Sequence, residues 1–359
     1  MNTKNNKCVL ITGSCGLIGM ESCLFFYEKG YRVIGVDNDM RAYFFGEEAS
    51  TSKNKVFLEN EIDDYVHYNV DIRDTASLEK IFGEYGDQLD CIIHTAAQPS
   101  HDWAAKEPHT DFSVNALGTL NLLEMTKKHC PDATFIFTST NKVYGDRPNG
   151  IYQDCDFVIK EQDSRYEAYD SKTNELYAVR EDMSIDMCKH SVFGASKVAA
   201  DIMVQEYGRY HGMKTVTFRG GCLTGRGHSG AELHGFMSYL IKCIKENKPY
   251  TIFGYKGKQV RDNIHSWDLV NAFWHYHQNP IPGAVYNIGG GRENAISMME
   301  AIKIINEEAG TSWNNFTLSE TNRIGDHIWY ISDLSKFKND YPSWNITKSI
   351  RDIVKEMIA

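Results

Sequence analysis

The chain has 359 residues, 42% of them hydrophobic and 24% charged, with a formal net charge of −10 at pH 7; that length suits one large α/β domain or two unequal lobes around a cleft. An acidic balance with no block of Lys or Arg argues against broad attraction to nucleic acid or to an anionic membrane surface. No apolar run approaches the roughly 20 residues that cross a bilayer, so no membrane partner is expected.

The N-terminus, MNTKNNKCVLITG, passes from a polar tip straight into an apolar strand and lacks the apolar core and cleavage site of a signal peptide. Its nine cysteines are scattered without a C-x-x-C pair. Both features predict a cytoplasmic protein with free thiols. Short β-branched runs then alternate with helical patterns, which predicts βαβ units and a doubly wound parallel α/β sheet. Strands are expected over 7–12, 32–37, 91–96, 134–139 and 215–219, with helices in ESCLFFYEKG and NALGTLNLLEMTKKH between them. In the second of these helices Leu117, Leu120 and Leu123 recur three apart, and Gly118 is the weak point. From Ile151 to about Asp186 the pattern gives way to a polar, acidic stretch, too long for a simple connection and expected to be a lid or lobe insertion. Beyond about Gly220 the alternation becomes irregular. The expected division is a nucleotide-binding domain over 1–190 that carries the 151–186 insertion and gains a helix and a returning strand from 191–219. A smaller C-terminal α/β lobe over 220–359 mainly forms the other wall of the cleft.

The first strand runs into TGSCGLIG, where Gly13, Gly16 and Gly19 are spaced G-x-x-G-x-x-G. Glycines in a strand–turn–helix let the backbone approach a pyrophosphate at the helix N-terminus, where N–H groups and the dipole favour an anion. Alone, the spacing also suits a plain tight turn. Asp37, closing the second strand in VIGVDNDMR about twenty residues on, favours the dinucleotide. Its carboxylate can accept both adenosine ribose hydroxyls and would repel a 2′-phosphate, so NAD is expected, although Arg41 nearby is a residue that can accommodate that phosphate. NVDIRD (69–74) and HTAAQPS (94–100) add polar turns at further strand ends. The cofactor residues so indicated are Gly13, Gly16, Leu17, Ile18, Gly19, Asp37, Asn38, Arg41, Asp71, Ile72, Ala96, Ala97 and Gln98, with Asp71 equally readable as a turn cap.

Taken in order over nearly the whole chain, TGSCGLIG, VDN, HTAAQ, Asn115, TSTNKVYGD (138–146), the x-G-x-S-K element at 193–197 and GKQVRDNIH (257–265) resemble a known group. It is the nucleotide-sugar epimerases and dehydratases of the extended short-chain dehydrogenase/reductase superfamily. STNKVYGD with GKQVRDNIH most resembles the CDP-tyvelose (CDP-paratose) 2-epimerase subfamily. The resemblance implies a Rossmann-type domain with permanently held NAD, and it adds Asn115, Ser139 and Lys197 to the cofactor residues. It also implies a catalytic set of Thr140, a Tyr and Lys197. In that set the Thr hydroxyl bonds the sugar oxygen that becomes a carbonyl, the Lys holds the nicotinamide ribose, and the Tyr is the general base.

In HSVFGASK (190–197) the Tyr position holds Phe193. A phenyl ring fills the space of a phenol but neither takes nor gives a proton. Three readings stay open: an engineered inactive variant, a binding protein that has lost its chemistry, or an enzyme in which Tyr144, Lys142, Cys188, His190 or Lys197 takes the proton. Retention of Thr140 and Lys197 favours a working enzyme.

For the substrate, the resemblance implies that Arg261 and Arg323 meet a diphosphate, with Asp262 and Asp326 orienting them. Ser100, His101, Asn141 and Lys142 are placed toward the hexose, His101 as a polar cleft residue more than a base. PYTIFGYKGK (249–258) would run along the base and ribose, and the Gly-rich 219–236 segment would approach the ligand, with Cys222 a weak acid/base candidate and more readily a small buried cysteine. No His spacing suggests a metal. The expected activity is an NAD-dependent 2-epimerase acting on a CDP-linked hexose or deoxyhexose through a transient keto-sugar. A 4-epimerase, 4,6-dehydratase or dehydrogenase is the alternative within the class, and a non-catalytic NAD and nucleotide-sugar binding protein the alternative outside it. The helices beginning at Phe193 and spanning Asn115–His129 resemble those that pair subunits in the family, so a homodimer or homotetramer is expected.

Overall fold

The computed structural model describes residues 7–227, 235–322 and 325–359. Strand β1 (Cys8–Thr12) is CVLIT, buried along its whole length. A strand covered on both faces shows a continuous apolar run instead of alternation. β2 (Arg32–Val36), β4 (Leu89–His94), β5 (Thr134–Thr140) and β6 (Lys214–Gly220) follow the same logic. With β3 (Val66–Tyr68) and β7 (Ala284–Ile288) they form a seven-stranded sheet in the order β7-β6-β5-β4-β1-β2-β3, parallel throughout.

Successive side chains of each strand feed opposite layers. Val9, Ile11, Ile93 and Val216 pack with Phe26, Phe273 and Trp344 on one face. Cys8, Leu10, Ile92 and Phe135 pack with Phe82, Leu123 and Val204 on the other. The strand order reverses at β1 and β4, whose ends Thr12 and His94 lie side by side, and a crevice opens at such a switch point.

All five expected strands are present. β3 escapes sequence reading because VHY is a half-exposed edge strand with no apolar run. β7 is fully buried, but it belongs to the segment expected in the second lobe and closes the far edge of the first sheet beside β6. The helix Ser266–Gln278 also packs on that sheet through Leu269, Val270 and Phe273. Gly118 has a packing reason: a Cβ there would lie 2.5 Å from Ile72 Cδ1.

In the C-terminal part, Val260–His265 is the centre of a small mixed sheet with Cys222–Thr224, Ala295–Ser297 and Trp329–Tyr330. Met237, Leu240, Ile252, Ile302 and Val354 give this part its own core. The 151–186 stretch contains an antiparallel hairpin, Phe157–Glu161 with Tyr166–Asp170. Phe157 and Ala168 are buried among Tyr144, Val260 and Trp329, so the hairpin packs against residues from both halves of the chain. None of the nine cysteines, all among the described residues, forms a disulfide.

Candidate active site

A cleft of about 520 Å³ extends from the C-terminal ends of the central strands to the strand Val260–His265. Gly13 leaves β1 with φ +67°, and a Cβ on it would meet the Ala96 nitrogen at 2.7 Å. The Gly13 N–H donates to Val36 O at 2.8 Å and the Gly16 N–H to Gly13 O at 2.9 Å, closing the turn. Gly19 lies outside the cleft. A Cβ there would sit 2.0 Å from Gly13 O, so this glycine lets the helix press against the turn. The helix Leu17–Glu28 starts at Gly16 with no side-chain cap, which leaves its first N–H groups for an anion. Leu17 and Ile18 line the cleft there.

Asp37 accepts the Cys15 N–H at 2.9 Å and the Asp39 N–H at 2.8 Å. Burial nevertheless pushes its carboxyl above the usual range, and a ligand with adjacent hydroxyls would bring the donors that offset this desolvation. Asn38, Arg41, Asp71 and Ile72 line the same end. Arg41 lies over the Phe45 ring at 5.1 Å. Asp71 caps its own turn: it accepts the Arg73 N–H at 2.8 Å and Arg73 Nη2 at 2.7 Å. Burial works against its charge, but the bonds from Arg73 outweigh it and hold the carboxyl below the usual range. A turn with no room for side chains, an uncapped helix start and a carboxylate ending β2 fit a dinucleotide whose adenosine ribose is unphosphorylated.

Ala96, Ala97 and Ser100 line the middle of the cleft. Gln98 and Asn115, expected there too, do not line it. They are buried and tie down the loop: the Gln98 N–H donates to Asn115 Oδ1 at 2.9 Å, and Asn115 Nδ2 donates to Gln98 O and to Ser196 Oγ, both at 3.0 Å. Asn115 lies in a π-helical turn, Ser113–Leu117, a local device frequent near functional sites. Both residues therefore shape the loop behind the cleft wall.

Thr140 ends β5, and Phe193 and Lys197 project into the cleft from successive turns of the helix Val192–His211. Lys197 Nζ donates to Thr138 O at 3.0 Å and lies 4.2 Å from the Phe137 ring centroid. Burial lowers its titration to about 8, with Asp201 and Asp111 acting in the opposite sense. Ser139 lines the cleft and donates to Asp201 at 2.6 Å, and Asp201 forms a buried pair with Arg219 at 2.8 Å. Asp201 is a supporting residue that sequence reading missed, although it stands one helical turn beyond Lys197.

Three of the expected proton carriers lie elsewhere. Tyr144 is fully buried outside the cleft; its hydroxyl donates to Asn287 Oδ1 at 2.7 Å and accepts Arg219 Nη1 at 3.0 Å. Burial pushes its phenol up to about 12, so the position is structural. His190 and Cys188 do not line the cleft either: His190 Nε2 bonds Val143 O at 2.8 Å, and burial raises the Cys188 thiol. Lys142 does line it, its Nζ donating to Gly325 O at 2.8 Å. His101 also lines it, edge-on to the Phe193 ring with 4.9 Å between centroids.

At the far end, Arg261 lines the cleft and pairs with Asp326 as expected. Asp262 does not orient it. That side chain is fully buried beneath Gly221 and Gly289, accepts the Ser332 N–H at 2.9 Å, and is pushed up to about 6 by burial. Asn141 is also in the cleft, and burial raises the Cys222 thiol to about 11. Arg323 lies outside the described residues, as do 228–234 of the expected ligand-contacting segment. Gln259, missed in the sequence, shares the cleft with Arg261; it immediately precedes the strand Val260–His265, and its spacing of two from Arg261 was the available signal. Among the described residues no group of three or more His, Cys, Asp or Glu is placed to hold a metal ion.

Comparison with known proteins matches residues 9–289 to the family described as "NAD dependent epimerase/dehydratase family". CDP-paratose 2-epimerase of Salmonella typhi is 30% identical over 97% of this chain and 97% of its own. dTDP-glucose 4,6-dehydratase of Escherichia coli is 26% identical over 92% of this chain and 87% of its own. Among solved structures, UDP-glucuronic acid 4-epimerase from Bacillus cereus, in complex with UDP-glucuronic acid and NAD, has a TM-score of 0.76 at 24% identity, covering 98% of this chain and 97% of that one.

Proposed function

Because the chain belongs to the NAD dependent epimerase/dehydratase family and its cofactor is accordingly NAD, we propose that it is a nucleotide-sugar epimerase inverting C2 of a CDP-linked hexose or deoxyhexose. The observation that carries this reading is one continuous cleft with the glycine turn and Asp37 at one end, Arg261 and Asp326 at the other, and Thr140 and Lys197 between them. The choice of C2 and of a CDP-sugar is supported by the likeness to CDP-paratose 2-epimerase over nearly both full lengths.

In this reading the first N–H groups of the helix Leu17–Glu28 hold the cofactor pyrophosphate and Asp37 the adenosine ribose. Lys197 meets the nicotinamide ribose. Bound NAD supplies the hydride acceptor and donor. The Arg261 fork, steadied by Asp326, takes the substrate diphosphate. Thr140 Oγ1 accepts the Lys142 N–H at 3.2 Å and donates to Asn141 Oδ1 in a long bond of 3.4 Å, which the reacting sugar oxygen would replace. A planar keto-sugar that turns over in the cleft before reduction returns inverted, with no net redox change. Exposed Leu117 and Ile202 on the two helices expected to pair subunits, with Phe112 and Val192 exposed just before them, support a homodimer or homotetramer.

Phe193 favours a second reading, a protein that binds NAD and a sugar nucleotide without turning it over. Proton NMR in D2O with CDP-, GDP-, UDP- and dTDP-linked hexoses and deoxyhexoses separates the two. A C2 epimer that retains its carbon-bound hydrogen supports the epimerase. Deuterium incorporation indicates a dehydratase-like, enolising course, and unchanged sugars that still bind indicate the binding protein.

A further inference from the structure

Resting on the epimerase reading, we propose that His101, held by Ser191, accepts and returns the proton that a phenol at position 193 would have handled. The two side chains come from positions 90 residues apart and meet at the cleft wall, with His101 Nδ1 2.6 Å from Ser191 Oγ. Ser191 is the N-cap of the helix Val192–His211 and accepts the Gly194 N–H at 3.0 Å. The start of that helix therefore fixes Oγ, and Oγ fixes the ring. With Nδ1 committed to Ser191, proton exchange falls to Nε2. For Nε2 to accept, Nδ1 carries the ring hydrogen and donates it to Ser191 Oγ, in the neutral ring and in the imidazolium alike, so Oγ accepts from both Nδ1 and the Gly194 N–H. The imidazole stands edge-on to Phe193 at an interplanar angle of 71°, so the phenyl fills the ring space of the phenol and the proton-carrying group is displaced to its neighbour. Gly325 backs the ring: a Cβ there would lie 2.6 Å from His101 Nδ1.

Two other groups at this end of the cleft are poorer acceptors near neutral pH. Lys197 titrates at about 8, so it is mostly an ammonium, and its Nζ is engaged by Thr138 O. The Cys222 thiol, raised to about 11, stays protonated. In the oxidative half-reaction the sugar O–H bond breaks and an N–H bond forms at Nε2. The oxygen's electron pair becomes the second bond of the carbonyl, and the carbon's hydrogen leaves with its pair to the nicotinamide ring. Reduction reverses each change, so the imidazolium gives back the proton it received.

The test follows reduction of the bound cofactor by absorbance in a single turnover, using whichever CDP-hexose the wild type oxidises. His101→Gln should slow this step about 100-fold or more, while the calorimetric Kd for the same CDP-hexose stays within about threefold. Adding Phe193→Tyr to that variant should restore much of the rate, because the phenol then carries the proton; recovery also shows that the variant is folded. Ser191→Ala should shift the pH profile of the step and the ¹⁵N resonances of the His101 ring, and Ser191→Thr should return both toward wild type. The proposal is overturned if His101→Gln keeps the wild-type rate and pH profile. It is equally overturned if that variant loses sugar-nucleotide affinity in parallel with rate and is not rescued by Phe193→Tyr. A wild type that binds sugar nucleotides but never reduces its cofactor overturns the epimerase reading itself, a different result from an active enzyme indifferent to His101.

Discussion

Replacing Lys197 with Met should make the cofactor-free protein more stable near neutral pH while abolishing its activity. Desolvation lowers this buried ammonium from 10.5 to about 8, with Asp201 and Asp111 offsetting part of the effect. A difference of about 2.5 pH units, at about 1.4 kcal/mol each, means that keeping the lysine charged costs the fold about 3 kcal/mol. Methionine keeps a similar straight stem. What it loses is the Nζ bond to Thr138 O and the cation over Phe137, together about 1 to 2 kcal/mol. The expected net gain is therefore about 1 to 2 kcal/mol. Between pH about 8 and 10.5 the native protein binds fewer protons than the unfolded chain, so wild-type stability rises with pH across that window while the variant lacks this contribution. Urea denaturation of both cofactor-free proteins near pH 7 and near pH 10 measures the gap, which should close with rising pH and be reversed by about 1 kcal/mol near pH 10. A variant less stable than wild type near pH 7, or a gap that ignores pH, would refute the idea that a buried charge is retained here against the stability of the fold.

Three further substitutions bear on the site. Tyr144→Phe leaves Arg219 and Asn287 without their hydroxyl partner; it should cost about 2 to 4 kcal/mol in denaturant unfolding and leave turnover within about threefold at a permissive temperature, whereas a hundredfold loss of turnover in folded protein would return Tyr144 to the chemistry. Asp37→Asn should weaken NAD binding about tenfold to a hundredfold and narrow the preference over NADP, as read by fluorescence titration of both dinucleotides; unchanged affinities would remove Asp37 from the ribose. Arg261→Met should raise the KM for the sugar nucleotide by about tenfold to a hundredfold and leave the NAD Kd alone. Equal weakening of both ligands would mean that the Arg261–Asp326 pair supports the whole cleft.

The sequence by itself determined the parts whose cause is local. A run such as CVLIT makes a doubly covered strand wherever it sits, and Gly13, Gly16 and Gly19 encode a turn that has no room for a Cβ at Gly13 or Gly19. Asp37, Thr140 and Lys197 were legible because each has a fixed offset from such an element, at a strand end or one helical turn beyond Phe193. The tertiary structure decided what those offsets could not express. VYG placed Tyr144 beside Thr140 in the chain, but Arg219 and Asn287, far along the sequence, draw its hydroxyl out of the cleft. Gln98 and Asn115, expected at the cofactor, are joined to each other by two hydrogen bonds that their separate motifs did not reveal. His101, read from the sequence as a polar cleft residue, has Ser191 against it from 90 positions away, a contact no local pattern expressed. Backbone elements follow from neighbours a few residues apart, whereas the state of a buried polar side chain depends on which distant donor or acceptor offsets its desolvation, and only the packed chain brings that partner within reach.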